Sequence, residues 1–154
     1  MALLGSLLVV LNMLCQAGVP LANADDIFSS AEKAELGMAA GSIEHRIKIY
    51  DAASVRIQHD LQLSVQKNDF DAVPGALKTW ISALSKSLED IEANLKAKKK
   101  SRNLIGYEIQ VRKAIADTEG LKIKAPVDQQ EAFDSCLAQA ETIRKKFVDI
   151  LFRH

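Results

Sequence analysis

The side chains able to carry chemistry are few, and their spacing tests each chemistry in turn. The histidines are His45, His59 and His154, and the cysteines Cys15 and Cys136. Thioether-bound haem needs CxxCH, which does not occur. A di-iron bundle needs Glu-x-x-His pairs on two helices. Ser42, Arg56 and Leu151 stand three residues before the three histidines instead. A Met–His haem or a copper site would draw on Met38, which shares one expected helix with His45 and His59. No cofactor and no metal site is therefore expected. His45 and His59 lie on one helical face beside Glu44 and Asp60, off the aliphatic stripe, and read as solvated. No Gly-x-Ser-x-Gly turn or Cys–His arrangement supplies a nucleophile, and no motif recruits Tyr107, Glu108 or Arg112. The chain reads as a non-enzyme.

One charge cluster remains: Lys96, Lys98, Lys99, Lys100 and Arg102, within KAKKKSR. Such a run serves as a solvated helix end or bend, where cations at a C-terminus complement the dipole. Its functional reading is a patch for an anionic partner: lipid headgroups, an acidic polysaccharide or an acidic protein face. No Trp or Phe interleaves the run, and 20 basic residues balance 20 acidic ones, which argues against nucleic acid. Trp80 and Tyr107 are the other singular residues, and Trp80, at the edge of an aliphatic stripe, reads as core. A half-exposed Trp80 beside Phe70 would instead mark a groove.

The elements that must position these residues are helices. Within Val73 to Leu95, the residues Leu77, Ile81, Leu84, Leu88, Ile91 and Leu95 alternate steps of four and three, one stripe of an α-helix. An earlier stripe through Leu36, Ala40, Ile43, Ile47, Tyr50, Ser54, Ile57 and Leu61 predicts a helix from Ser29 or Ser30 to about Gln66. Gly37 and Gly41 leave open a later start near Ser42. Lys67 to Asp71 forms a turn, with Asp69 or Asp71 as the next cap and Pro74 in the first turn. The stretch VQKNDFDAVPGAL resembles the turn between helices of tetratricopeptide-type repeats, although no second copy follows at the roughly 34-residue repeat interval.

After Leu95 the stripe fails at Lys98 and Arg102, so a break or bend near Lys99 to Ser101 is expected before a helix through Leu104, Ile105, Ile109 and Ile115, with one continuous bent helix from Pro74 to about Thr118 as the alternative. Gly120 ends that helix, and Leu121 to Pro126 reads as an extended connection anchored by Leu121 and Ile123. Asp128 caps the last helix, whose inner face carries Phe133, Leu137, Ala140, Ile143, Phe147 and Ile150. Cys136 shares that face and reads as a buried small hydrophobe rather than an intermolecular link.

Residues 1–24 carry no charged side chain, and Ala22-Asn23-Ala24 gives the small-x-small pattern of signal-peptidase sites. The expectation is a signal peptide cleaved after Ala24, with an uncleaved membrane anchor as the alternative. Residues 25–154 then form one all-α domain, an antiparallel bundle of three to four long helices. Size and export are similar to those of helical stress chaperones of the periplasm, but their LTxxQ-type motif is absent. The expected function is an extracytoplasmic interaction or structural module that binds a protein or envelope component. Membrane contact would come through the basic patch or an uncleaved N-terminus. The alternative is a carrier holding a small apolar ligand among Leu84, Leu88, Ile109 and Phe147.

Overall fold

The computed structural model describes residues 27–96 and 100–153. The expected signal segment and its cleavage site lie outside the described residues, as do Lys98, Lys99 and His154.

Described residues fold into five α-helices and a single 3₁₀ turn, with no strand. The first helix, α1 (Ser30–Met38), opens on a capping box. Ser29 Oγ accepts from Glu32 N–H at 3.2 Å, and Glu32 Oε2 accepts from Ser29 N–H at 2.7 Å. The chain then turns at residues 39–42 before α2 (Ile43–Gln66), which Ser42 caps through His45 N–H at 3.3 Å. The single helix expected from Ser29 to Gln66 is thus two, with the later start at Ser42 realised. Arg46 explains why the corner holds. Its Nη1 donates to the carbonyls of Ala39 and Ala40 at 3.2 and 2.6 Å, satisfying oxygens that a broken helix leaves open.

Helix α2 ends in a Schellman turn. Asn68 adopts φ 56°, Asn68 N–H reaches Val65 O, and Asp69 N–H reaches Ser64 O. Helix α3 (Val73–Asn94) begins at Ala72 without a side-chain cap, so neither Asp69 nor Asp71 takes that role. Pro74 and the fully buried Val73 set its entry.

Ser101 then caps α4 (Arg102–Lys124), accepting from Leu104 N–H at 3.0 Å; this is the break expected after Leu95. Helix α4 runs straight through Gly120, correcting the extended connection expected from Leu121. Leu121 is buried but Ile123 is 84% exposed and anchors nothing. The helix ends where Pro126 drives Ala125 into extended backbone, φ −85°, ψ 151°. Val127–Gln129 forms the 3₁₀ turn, and α5 (Gln130–Phe152) follows. Gln130, rather than Asp128, closes the junction by donating to the carbonyls of Lys122 and Ala125 at 2.9 and 3.2 Å.

Helices α2 and α3 form one antiparallel hairpin, α4 and α5 a second. The hairpins stack so that α4 lies parallel to α2 and α5 parallel to α3. Polar pairs fix this register. Glu44 meets Asn103 and Gln58 meets Thr118 along α2/α4; Leu77 meets Cys136 and Glu92 meets Arg153 along α3/α5. The long bundle helices number four, and α1 is a short fifth on the α2/α3 hairpin.

The core follows the sequence stripes closely on α3 and α5. Leu77, Leu84, Leu88 and Ile91 are buried, with Ile81 and Leu95 packed at the edge. Trp80, Ala83 and Ser87 are buried too, because α3 has two neighbours and buries a wider arc than one seam. Trp80 donates its indole N–H to Ser54 Oγ at 3.0 Å. Tyr107 meets Ser87 at 3.0 Å and stacks on Phe147 with ring centroids 5.2 Å apart. Both are core residues. Cys136 is buried as well, its thiol pushed up to about 12 by burial.

Candidate interaction face

Helix ends dictate what the basic run can do. Lys96 follows the C-terminus of α3, where a cation complements the helix dipole. Lys100 and Arg102 stand at the N-terminus of α4, where the same dipole disfavours them by about 0.3–1 kcal/mol each. The first turn of α4 holds no acidic residue of its own, but the Glu44 carboxylate of α2 lies at this helix end, accepting from Ser101 Oγ at 2.8 Å and from Asn103 Nδ2 at 3.0 Å. All three are exposed, and none forms an ion pair with a described residue.

Beside Lys100, an apolar groove of about 300 Å³ opens between α4 and α5. Ile105 and Ile109 form one wall, and Val148, Leu151 and Phe152 the other. Ile105, Ile109 and Phe152 are 39%, 49% and 63% exposed, although four-residue spacing puts the two isoleucines on one outward face. Lys100 and Arg112 stand at the rim. Glu108 is the acidic group in the lining, and its charge is engaged: Arg144 Nη1 donates to Glu108 Oε1 at 2.8 Å and clamps Glu141 through Nε and Nη2. These partners raise the Arg144 pKa, while Arg144 holds the Glu141 carboxyl below its usual range. The groove therefore has an apolar floor and a rim left positive by Lys100.

The opposite side of the molecule is closed by α1. Phe28 packs on Tyr50 with ring centroids 5.8 Å apart, and Glu32 clamps Arg56 at 2.8 and 2.9 Å. Burial draws the Glu32 carboxyl upward, but the bonds from Arg56 and Ser29 outweigh it and leave it lowered. Next to this contact, Asp90 of α3 accepts from Arg46 at 2.7 and 3.0 Å, Tyr50 at 2.7 Å and Asn94 at 2.8 Å. Burial raises Asp90 while Arg46 and Tyr50 lower it, with a net lowering. The Tyr50 phenol is pushed well up, first by burial and then by the Asp90 carboxylate.

The remaining sequence candidates are scattered. His45 and His59 are exposed on α2. Among the described residues no group of three His, Cys, Asp or Glu could hold a metal ion. Tyr107 is buried in the core, whereas Glu108 and Arg112 line the outer groove. Leu84, Leu88 and Phe147 lie in the packed core while Ile109 is outside, so these four do not line one cavity. Asp51 faces the interior without a partner for Oδ1, and burial raises its carboxyl.

The groove escapes a hydropathy reading because α4 carries two apolar stripes. Leu104, Val111 and Ala114 share the buried face with Glu108 and Thr118, while Ile105 and Ile109 form the outward one. No protein-family model, curated protein or solved structure matches this chain.

Proposed function

We propose that this protein is an exported, non-enzymatic interaction module. It receives an anionic protein or envelope component at the end of the bundle where Lys100 borders the α4/α5 groove. One observation carries the reading: an exposed apolar groove adjoins Lys100, a cation that forms no ion pair with a described residue. Exposed apolar surface of this kind marks contact sites, and the cation adds electrostatic attraction. Export rests on the residue 1–24 pattern, and among the described residues no helix is long and apolar enough to cross a membrane. The carrier alternative has less support, because its proposed lining is divided between core and surface.

Two probes test the reading: vesicles containing phosphatidylglycerol, and polyglutamate as an acidic polypeptide. Binding of at least one should weaken as ionic strength rises from about 0.1 M to about 1 M, because the Debye length falls from ~10 Å to ~3 Å. Lys100→Glu with Arg102→Glu should weaken it at low salt. Binding to neither probe, or binding indifferent to salt and to the double variant, would overturn the proposal.

A further inference from the structure

The two hairpins are stacked as layers, and only the α2/α3 layer carries a further helix, α1, which packs on α2. The α2/α3 layer meets α4 through Glu44 and Gln58. On its outer side α1 packs on α2 and leaves a cleft of about 420 Å³ lined by Leu36, Ala40, Arg46, Tyr50 and Asp90. The α4/α5 layer meets the first hairpin on one side and exposes Ile105, Ile109 and Phe152 on the other.

The segment from Ile27 through α1 shows what chemistry attaches to such a layer. Helix α1 is short, with Glu32 in its first turn and aromatic and aliphatic anchors at Ile27 and Phe28 just before it. Its carboxylate seizes a guanidinium of the layer beneath, Glu32 on Arg56. The open layer offers the complement of the same device. Ile109 and Phe152 stand ready for apolar anchors, and Arg112 and Lys100 for carboxylates. Arg112 approaches only Glu108, at 4.0 Å, and Glu108 is already held by Arg144. A groove between two antiparallel helices with anchor positions four residues apart fits a third helix laid along it. A second copy of this chain is disfavoured, because self-contact would face Lys100 and Arg112 with their own like charges.

Resting on the interaction-module reading above, we infer from the apolar lining and the cations at its edge that the α4/α5 groove binds an acidic amphipathic helix of a partner protein. Apolar side chains one turn apart on that helix would enter between Ile105, Ile109 and Phe152. Its Glu or Asp side chains would pair with Arg112 and Lys100.

The test is selection from a random peptide library displayed on phage, against the full domain, with an Ile109→Glu variant used for subtraction. Ile109 is half exposed, so that variant should fold; its circular dichroism and urea midpoint verify this. Enrichment of acidic sequences with apolar residues at helical spacing is expected. Synthetic versions should become helical on binding, shift the methyl signals of Ile105 and Ile109, and bind Ile109→Glu about tenfold or more weakly. An enriched set that is basic, proline-rich or bound in extended form would overturn the helix inference and leave the interaction module standing. Binding only to phosphatidylglycerol vesicles would do the same. No enrichment together with no binding to vesicles or polyglutamate would overturn both.

Discussion

Replacing Asp90 by Ala should loosen the corner where α1, α2 and α3 meet. The carboxylate accepts four hydrogen bonds, two from Arg46 and one each from Tyr50 and Asn94. The Arg46 and Asp90 side chains are 11% and 18% exposed, so the pair lies between the buried and surface regimes. Removing one partner of a fully buried pair costs about 3–5 kcal/mol, and an exposed pair contributes about 0–1 kcal/mol. Arg46 keeps the Ala39 and Ala40 carbonyls in the variant, which limits the loss. The expected cost is about 2 kcal/mol, or roughly 8 °C in Tm for a domain of this size. Asp90→Asn, which keeps an acceptor for Tyr50, should cost about half as much.

The pH dependence has a definite sign. The Asp90 carboxyl is lowered in the folded state, so its stabilisation is present above the unfolded pKa of about 3.9 and lost as pH falls through the folded value. The difference between wild type and Asp90→Ala should be level from neutrality to about pH 5 and close below it. Urea unfolding followed by the single tryptophan, Trp80, and by circular dichroism measures both effects. A loss under about 0.5 kcal/mol at pH 7, or a gap undiminished in acid, would refute the reasoning.

Other perturbations probe the core. Ser54→Ala leaves the fully buried Trp80 indole N–H without its acceptor and should cost about 1–2 kcal/mol in the same urea assay. Asp51→Asn should stabilise the fold at pH 7 by about 0.5–1 kcal/mol, because it removes a charge that burial disfavours. The wild-type carboxyl is raised, so its fold gains stability as pH falls through the folded value; the advantage of Asn should therefore vanish in acid, and a destabilised variant at neutrality would count against this account. In a Cys15→Ser background, Cys136 should resist an aromatic disulfide reagent under native conditions and react on denaturation. Fast native labelling would show that the α3/α5 seam opens.

Legibility in the sequence followed the strength of each periodic signal. The α3 stripe from Leu77 to Ile91 was readable because large aliphatic residues alternate with small and polar ones over several turns. The inner face of α5, including Cys136, was readable for the same reason. Boundaries that depend on distant contacts were not. The α1–α2 corner is completed by Arg46 reaching back to Ala39 and Ala40, and α4 continues past Gly120 until Pro126 stops it. The reading of Gly120 as a helix end failed, because no positive φ occurs there and the helix continues to Lys124.

The candidate site was legible only as charge. The lysine run was visible in composition, but the groove beside it was not, because hydropathy on α4 is inverted locally. Glu108 and Thr118 are buried through Arg144 and Gln58, while Ile105, Ile109 and Ile123 face outward. Hydrogen bonds from other helices make that inversion tolerable, and no single-helix pattern contains them.

The most direct measurement places a photocrosslinking amino acid at position 109 in cells of the native host, with position 55 as the control. Val55 is similarly exposed, at 46% against 49% for Ile109, but lies on α2 beside a different groove. The account predicts one discrete adduct from position 109, weakened by Lys100→Glu, carrying an acidic amphipathic helix at the crosslinked site. Equal labelling from both positions, or none from position 109, would contradict it.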